Sequence, residues 1–457
     1  MGKTLSKRRI FVIFLFSLAV FFTLMVADAP TAIILIASGT AAAALATLLG
    51  VPWVKIHDDL IQTIAAFIPA ILILMAVGML ISSWILCGTI PFMIYYGLKL
   101  VSPSFFLLTS LFLCTIMSVA TGTSWGTIGT IGIALTGIST ALGIPLPQTA
   151  GAVVTGAIFG DKLSPLSDTT VLASAVSEVY IFDHIKYMLW TTLPPYMIAV
   201  FLFGFLGVVN QPSAIAAYDL NLIMITLEES FHLGLILLIP PAVVLFLVLR
   251  KKPVLPTFAA GISVALVLAV FCQGSDLEEI SRALYGGYKN ATAIDLVDNM
   301  LLRGGITSML GSIILPIAAA IFGSPLRSTG IIEVLLEAVS KVARDKRIFM
   351  AGVFLTHALF FMITASYYVT FAAFGPLVAP LFDKFKLHRA NLSRLLEDTG
   401  TTFAPIIPWS VTGAFIAGTL GVSTWDYFFF VPLAYLGLIF SLGYIVTGFR
   451  IAAKEAP

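Results

Sequence analysis

Between Gly160 and Thr170 the chain reads GDKLSPLSDTT, which packs two carboxylates, one lysine, four hydroxyls and a proline into eleven residues. A second segment from Leu396 to Ser410, LEDTGTTFAPIIPWS, has the same ingredients: acid, then threonines, then a proline-broken apolar run. Carboxylate, hydroxyl and free carbonyl oxygens are the hard ligands a dehydrated Na⁺ needs. A carboxylate that holds such a cation does not comfortably hold a proton, so competition for one carboxylate is the chemistry these residues can do. The first candidate to carry the exchangeable proton and to bind Na⁺ is Asp168, with Asp161 and Asp398 as alternatives. Ser164, Ser167, Thr169 and Thr170 surround the first two in sequence, and Thr399, Thr401 and Thr402 follow the third. Lys162 and Glu397 are candidate charge partners. Thr121, Thr123 and Ser124 in TGTSWGT, and Thr364 and Ser366 in TASYYVT, add hydroxyls at two further helix ends.

The elements that must position these groups are membrane helices. The 457 residues are 59% hydrophobic and 11% charged, with a mean hydropathy of +1.04, where about 25% charged is usual for a soluble globule. Charges in such a chain are costly in lipid and normally face a protein interior or a water-filled path. A net charge of +2 offers no basic face for nucleic acid. Cys87, Cys114 and Cys272 lie in apolar stretches without CxxC spacing, so neither disulfides nor a metal cluster is expected, and no cofactor is called for.

Spanning takes about 20 apolar residues. The run 10–26 after Lys3, Lys7, Arg8 and Arg9 is too long for a cleaved signal and reads as a retained first helix. Further candidates are 31–50, 60–83, 105–120, 185–208, 233–249, 256–272, 305–322, 347–363, 367–382, 403–420 and 427–448, while 125–177 is too interrupted to count. The expectation is an all-α polytopic membrane protein with roughly eleven to thirteen spanning elements. Lysines and arginines at the N-terminus, 250–252, 341–347, 384–389 and Arg450/Lys454 place those loops and both termini in the cytoplasm. The acidic stretches 210–230 and 274–298 then face outside, and His184 with Lys186 falls in a cytoplasmic turn. Trp53, Trp190 and Trp425, near expected helix ends, read as interfacial anchors.

The two polar segments belong to corresponding units, 105–170 and 347–402, offset by roughly 240 residues. By the charge count the first begins outside and the second in the cytoplasm, which is an inverted repeat. Pro165, Pro405, Pro408 and the surrounding glycines interrupt the helices and free backbone carbonyls and amides. The chain divides accordingly into N-terminal helices (1–104), a first repeat core (105–208), connecting helices (209–346) and a second repeat core with the C-terminal helix (347–457). Matched, helix-breaking polar segments in two halves point to a secondary transporter.

GDKLSPLSDTT, with CGTIPFMIYYGLKL (Cys87 to Leu100) and TGTSWGTIGTIG (Thr121 to Gly132), resembles the NhaC-type sodium/proton antiporter family of the ion-transporter superfamily. The resemblance covers most of the chain. It implies an inner-membrane antiporter of two inverted repeats, each giving a re-entrant hairpin and a broken helix to a central site. The family also holds sodium-lactate/malate-proton exchangers and suspected amino-acid exchangers, so a small organic anion or an amino acid stays open as substrate beside Na⁺ and H⁺. Membrane lipid is the other partner, and a homodimer is left open.

Each candidate also has a plainer reading. Asp161 and Lys162 could form a local ion pair. Asp168 could cap a helix running through 169–175. Glu397 reads as a neighbour of Arg394 one turn earlier. His357 reads as a core histidine more readily than a proton relay. Gly122 to Gly126 matches G-x-S-x-G, and an intramembrane serine hydrolase would need His184, His232 or His357 within reach of Ser124. No Walker-type loop, zinc-protease helix or large soluble domain is present in the sequence.

Overall fold

The computed structural model describes residues 5–100, 102–209, 214–292 and 294–453. Lys3, Asn210 and Lys454, used above in assigning sides, lie outside the described residues. The chain opens with α1 (Lys7–Val26), α2 (Thr31–Leu48), the 34-residue α3 (Trp53–Leu86) and α4 (Thr89–Leu100). Nine of the described helices are long and apolar enough to cross a membrane, or up to eleven when two bent pairs count as one span each. That meets the lower edge of the expected range, because several elements are hairpin arms and half-helices rather than full crossings. The protein is a multi-pass membrane protein.

The stretch read from the sequence as the first repeat core holds α5 (Phe106–Thr121), α6 (Ser124–Thr127), α7 (Ile133–Ala141), α8 (Leu146–Leu163), α9 (Asp168–Val176) and α10 (Ile181–Val209). After it come α11 (Ala214–Ser230), α12 (Ile239–Leu249), α13 (Val254–Gln273), α14 (Leu277–Gly286), α15 (Asp295–Leu301), α16 (Leu310–Ser328) and α17 (Ile331–Val342). The stretch read as the second repeat core holds α18 (Lys346–Thr364), α19 (Tyr367–Lys384), α20 (Ala390–Thr399), α21 (Val411–Leu420), α22 (Thr424–Tyr427) and α23 (Pro432–Thr447).

Hydrogen-bond register gives the direction of each helix. Ser118 donates to the Ala157 carbonyl at 2.6 Å and Ser164 to the Val119 carbonyl at 2.9 Å, so α5 and α8 run side by side in the same sense. Only glycine permits that approach: a Cβ on Gly156 would sit 2.3 Å from the Leu111 carbonyl oxygen, and one on Gly160 2.5 Å from that of Thr115. Tyr196 of α10 meets Thr115, while Gly207 lies against Ser104, so α10 runs the other way. His184 meets Ser393 and Thr191 meets Asp398, which sets α20 parallel to α10. His357 with Thr399, Met362 with Trp409 and Ala365 with Val411 set α18 parallel to α20. The helices α5 and α8 therefore oppose α18 and α20, and the two repeats are inverted.

Local geometry repeats as well. The first arm of each hairpin ends in a left-handed residue, Gly122 (φ 69°) or Ala365 (φ 58°), followed by an extended Thr123 or Ser366. The chain then turns back. The next helix breaks at 164–167 or 400–410 and resumes at a serine cap, where Ser167 accepts from the Thr170 amide and Ser410 from the Gly413 amide. Asp168 is thus the first helical residue of α9 rather than its cap.

Three expectations from the sequence are corrected. The stretch read as an outer loop at 210–230 is helical from Ala214, and its 220–230 part bends by 98° into 235–249. The segment read as a spanning helix at 403–420 is an irregular stretch followed by the ten-residue α21. His184 and Lys186 lie within the first turns of α10, not in a turn between elements, and His184 is fully buried against α20.

Candidate functional site

The two helix breaks meet through Lys162. Its side chain is 1% exposed, and its ammonium donates to Asp398 Oδ1 at 3.1 Å and to Thr402 Oγ1 at 2.5 Å. Thr191 of α10 donates to the same Asp398 oxygen at 3.0 Å. The local pair with Asp161 does not form; Lys162 reaches across the repeats instead. Asp161 accepts from Ser124 at 2.8 Å through Oδ2, while Oδ1 is buried without a hydrogen-bond partner. Ser167, Asp168 and Glu397 are near enough to act on its carboxyl.

Glu397 is fully buried, and Thr401 donates to its Oε2, leaving Oε1 unpartnered. Its expected neighbour Arg394 turns elsewhere, donating to the Arg450 carbonyl at 3.2 Å with its guanidinium over Tyr187. Asp398 also keeps one oxygen, Oδ2, buried without a partner. Three carboxylates on broken helices therefore each present an unused oxygen to the interior. Among the described residues, neither Asp161 nor Glu397 has a cation within ion-pair distance.

Asp168 is more open. Its Oδ1 accepts from the Thr169 amide at 2.9 Å, and its Oδ2 accepts from the Tyr368 hydroxyl at the tip of the opposite hairpin. The reciprocal contact stacks Trp125 on Phe415 with ring centroids 4.3 Å apart. Trp125 and Tyr368 each stand three residues beyond the left-handed break of their repeat, so each hairpin tip touches the resuming half-helix of the other repeat.

The remaining hydroxyls divide into two sets. Thr170 faces the Asp161 and Lys162 carbonyls at 3.5 and 3.4 Å, and Ser167 contacts Thr169 at 3.0 Å, which gathers oxygens around the first break. Thr121, Ser164 and Thr364 are spent on backbone carbonyls, and Thr123 accepts from the Gly126 amide. Ser366 is buried at the second hairpin tip. Thr399 shares a 2.6 Å bond with His357 Nδ1. One residue not singled out from the sequence joins the site, Thr191, and the Nε2 atoms of His184 and His357 are buried and unpartnered. No motif marks Thr191; only the direction of α10 brings it to Asp398.

The G-x-S-x-G reading finds no partner here. Ser124 donates to Asp161, and the Nδ1 atoms of His184 and His357 are bonded to Ser393 and Thr399. Gly122 to Gly126 forms a helix tip rather than a strand-to-helix elbow.

The chain as a whole is similar to known proteins. Residues 4–175 and 156–449 match the Na⁺/H⁺ antiporter family. The chain is 36% identical to the malate-2H⁺/Na⁺-lactate antiporter of Bacillus subtilis, over 92% of this chain and 90% of that protein. It is 35% identical to the Na⁺/H⁺ antiporter NhaC of Alkalihalophilus pseudofirmus, over 91% and 90% of the two chains. The arginine/ornithine antiporter ArcD of Halobacterium salinarum is 34% identical over 88% and 82%. With two interlocked broken helices at its centre and a match that spans nearly its whole length, the chain belongs to the Na⁺/H⁺ antiporter family.

Proposed function

We propose that the protein exchanges Na⁺ for protons across the cell membrane, and that the two cations compete for carboxylates at the junction of the broken helices. The observation that carries this reading is the excess of buried acid. Asp161, Glu397 and Asp398 are 6%, 0% and 1% exposed, and Lys162 is committed to the last of them. A buried carboxylate without a paired cation is costly, so the group around Asp161 needs either a proton or a bound cation. Ser124, Thr170 and the Asp161 and Lys162 carbonyls lie where a Na⁺ would find oxygen ligands. Asp168, at the first turn of α9, is the more accessible carboxylate and serves as the entry to that site.

An organic anion at the junction of the broken helices would need a free cation there, and Lys162 does not offer one while it holds Asp398 and Thr402. This favours the simple cation/proton reading over exchange of lactate, malate or an amino acid. The orientation proposed is the one read from the basic loops, with both termini cytoplasmic. Several basic contacts cluster at the end where α1 begins: Lys7 with Glu337, Lys55 with the Ser328 carbonyl, and Arg327 with Asp59. Proteoliposomes loaded with a pH dye test the function directly. Na⁺ alone should drive proton movement; a strict requirement for lactate, malate or an amino acid would replace this reading with organic-substrate exchange.

A further inference from the structure

The ten residues of α20 are all buried, and none of them is a glycine through which a neighbouring helix could close on it. Where α5 reaches α8 through Gly156 and Gly160, Gly352 of α18 packs against Val339 of α17, and side-chain hydrogen bonds make the link to α20. Two of the groups that hold α20 are imidazoles on different helices. His357 of α18, 0% exposed, places Nδ1 2.6 Å from the Thr399 hydroxyl oxygen, and His184 of α10, also 0% exposed, places Nδ1 2.8 Å from that of Ser393.

Counting hydrogens fixes the state of both rings. Thr399 gives its one hydroxyl hydrogen to the Leu395 carbonyl at 2.7 Å, and Ser393 gives its own to the Ala390 carbonyl at 3.1 Å. Each hydroxyl then has only lone pairs to offer, so each Nδ1 is the donor. Were the hydroxyls to turn towards the rings, each Nε2 would carry the ring hydrogen, and both Nε2 atoms are buried without a hydrogen-bond partner among the described residues. An orphaned buried N–H is rarer than an under-used acceptor, and an imidazolium would add an unpaired charge to the same orphan. Only the neutral, Nδ1-protonated ring uses every hydrogen.

We propose that His357 and His184 are positioning residues, neutral Nδ1-protonated imidazoles that hold the two ends of α20 and so keep Asp398 on Lys162. Ser393 lies in the first turn of α20, and Thr399, next to Asp398, is its last residue before the break. The kinetic consequence rests on the Na⁺/proton exchange proposed above. When α20 slackens, the Lys162 ammonium comes free of Asp398 and competes with Na⁺ for neighbouring carboxylates, Glu397 among them, on which its charge already acts.

Nitrogen-15 NMR of the histidine-labelled full chain in detergent reads the ring states directly, with signals assigned by their loss in His357→Asn and His184→Asn. Both rings should show a protonated Nδ1 and a bare Nε2; a protonated Nε2 on either overturns the proposal. In dye-loaded liposomes, His357→Leu should raise the Na⁺ concentration for half-maximal exchange about two- to tenfold, the worth of one hydrogen bond, with a smaller change in maximal rate. An asparagine amide puts an N–H where Nδ1 stands and a glutamine amide puts one where Nε2 stands. His357→Asn should therefore stay near the native value, and His357→Gln should behave as His357→Leu. Unchanged Na⁺ dependence in His357→Leu, or equal behaviour of His357→Asn and His357→Gln, overturns the assignment. If His357→Leu does not fold, Thr399→Val removes the acceptor instead, with the same expected shift and the same contrary result. Should the native chain not exchange Na⁺ for protons, the exchange reading falls, and thermal unfolding decides the positioning role by itself: the losses in His357→Leu and Asp398→Asn should be non-additive, and additive losses overturn it.

Discussion

Lys162 and Asp398, 236 residues apart in sequence, form a fully buried ion pair at 3.1 Å that ties the broken helix of one repeat to that of the other. Removing either partner strands the other charge, at a cost of about 3–5 kcal/mol, whereas replacing both by apolar groups is often neutral. Lys162→Met and Asp398→Asn should each lower the melting temperature strongly. The double variant Lys162→Met/Asp398→Leu should recover most of that loss and still fail to exchange Na⁺ for protons. Thermal unfolding in detergent measures the first part; if the double variant is less stable than either single one, the pair does not carry the coupling assigned to it.

That pair shows what sequence reading reaches and what it misses. The interruption at 164–167 was legible, because Pro165 removes a donor and Ser167 precedes a new apolar run. The inversion was legible from loop charge. The partner of Lys162 was not: Asp161 is its neighbour in sequence, yet adjacent residues on a helix point about 100° apart and do not face each other. Asp398 becomes available only once α10 and α20 pack in parallel. Arg394 and Glu397 have permissive i,i+3 spacing, but on a helix buried all round each side chain turned to a different neighbour, Arg450 and Thr401. The helix at 214–230 was hidden by the acids at its end, Glu228 and Glu229, which made the stretch resemble a loop.

The α5–α8 contact should be intolerant of any side chain at Gly160. A Cβ there falls 2.5 Å from the Thr115 carbonyl oxygen and 2.8 Å from the Val119 amide nitrogen, both backbone atoms that cannot swing aside. Gly160→Val should destabilise by about 1–3 kcal/mol or more and move Asp161 away from Ser124. Gly443 has nothing near its Cβ position, and Gly443→Ala should be close to neutral. Melting curves of the two variants side by side check this, and equal stability would contradict the close packing.

Outside the membrane, Glu337 is held down to about 2 from 4.5 by hydrogen bonds from Lys341 and then Lys7. A depressed carboxylate contributes stability that is present above its unfolded value and lost as pH falls through the folded one. The contact between α1 and α17 should therefore be constant from neutral pH to about 5 and weaken between about 4.5 and 2. Being exposed, it should also weaken in high salt. Spin labels at the exposed Val12 and Val342 report the helix separation; in Glu337→Gln the acid-dependent change should vanish.

The carboxylates of the first break should differ in how they fail. Asp161 keeps a buried, unpartnered oxygen beside the Ser124 and Thr170 hydroxyls, whereas both Asp168 oxygens are engaged, one by Tyr368 of the other repeat. Asparagine keeps the shape and loses the titration, so Asp161→Asn should reduce Na⁺-driven proton movement to background while the protein still inserts. Asp168→Asn removes the charge that the Tyr368 hydroxyl faces, and should raise the Na⁺ concentration needed for half-maximal exchange by about tenfold with a smaller loss in maximal rate. Tyr368→Phe, which leaves the Asp168 charge in place, should produce part of that shift. Dye-loaded liposomes assayed over a Na⁺ series separate the two patterns. Abolished exchange in Asp168→Asn together with near-normal exchange in Asp161→Asn would move the competing carboxylate from Asp161 to Asp168; normal exchange in both would remove the first break from the mechanism and leave Glu397 and Asp398 as its acids.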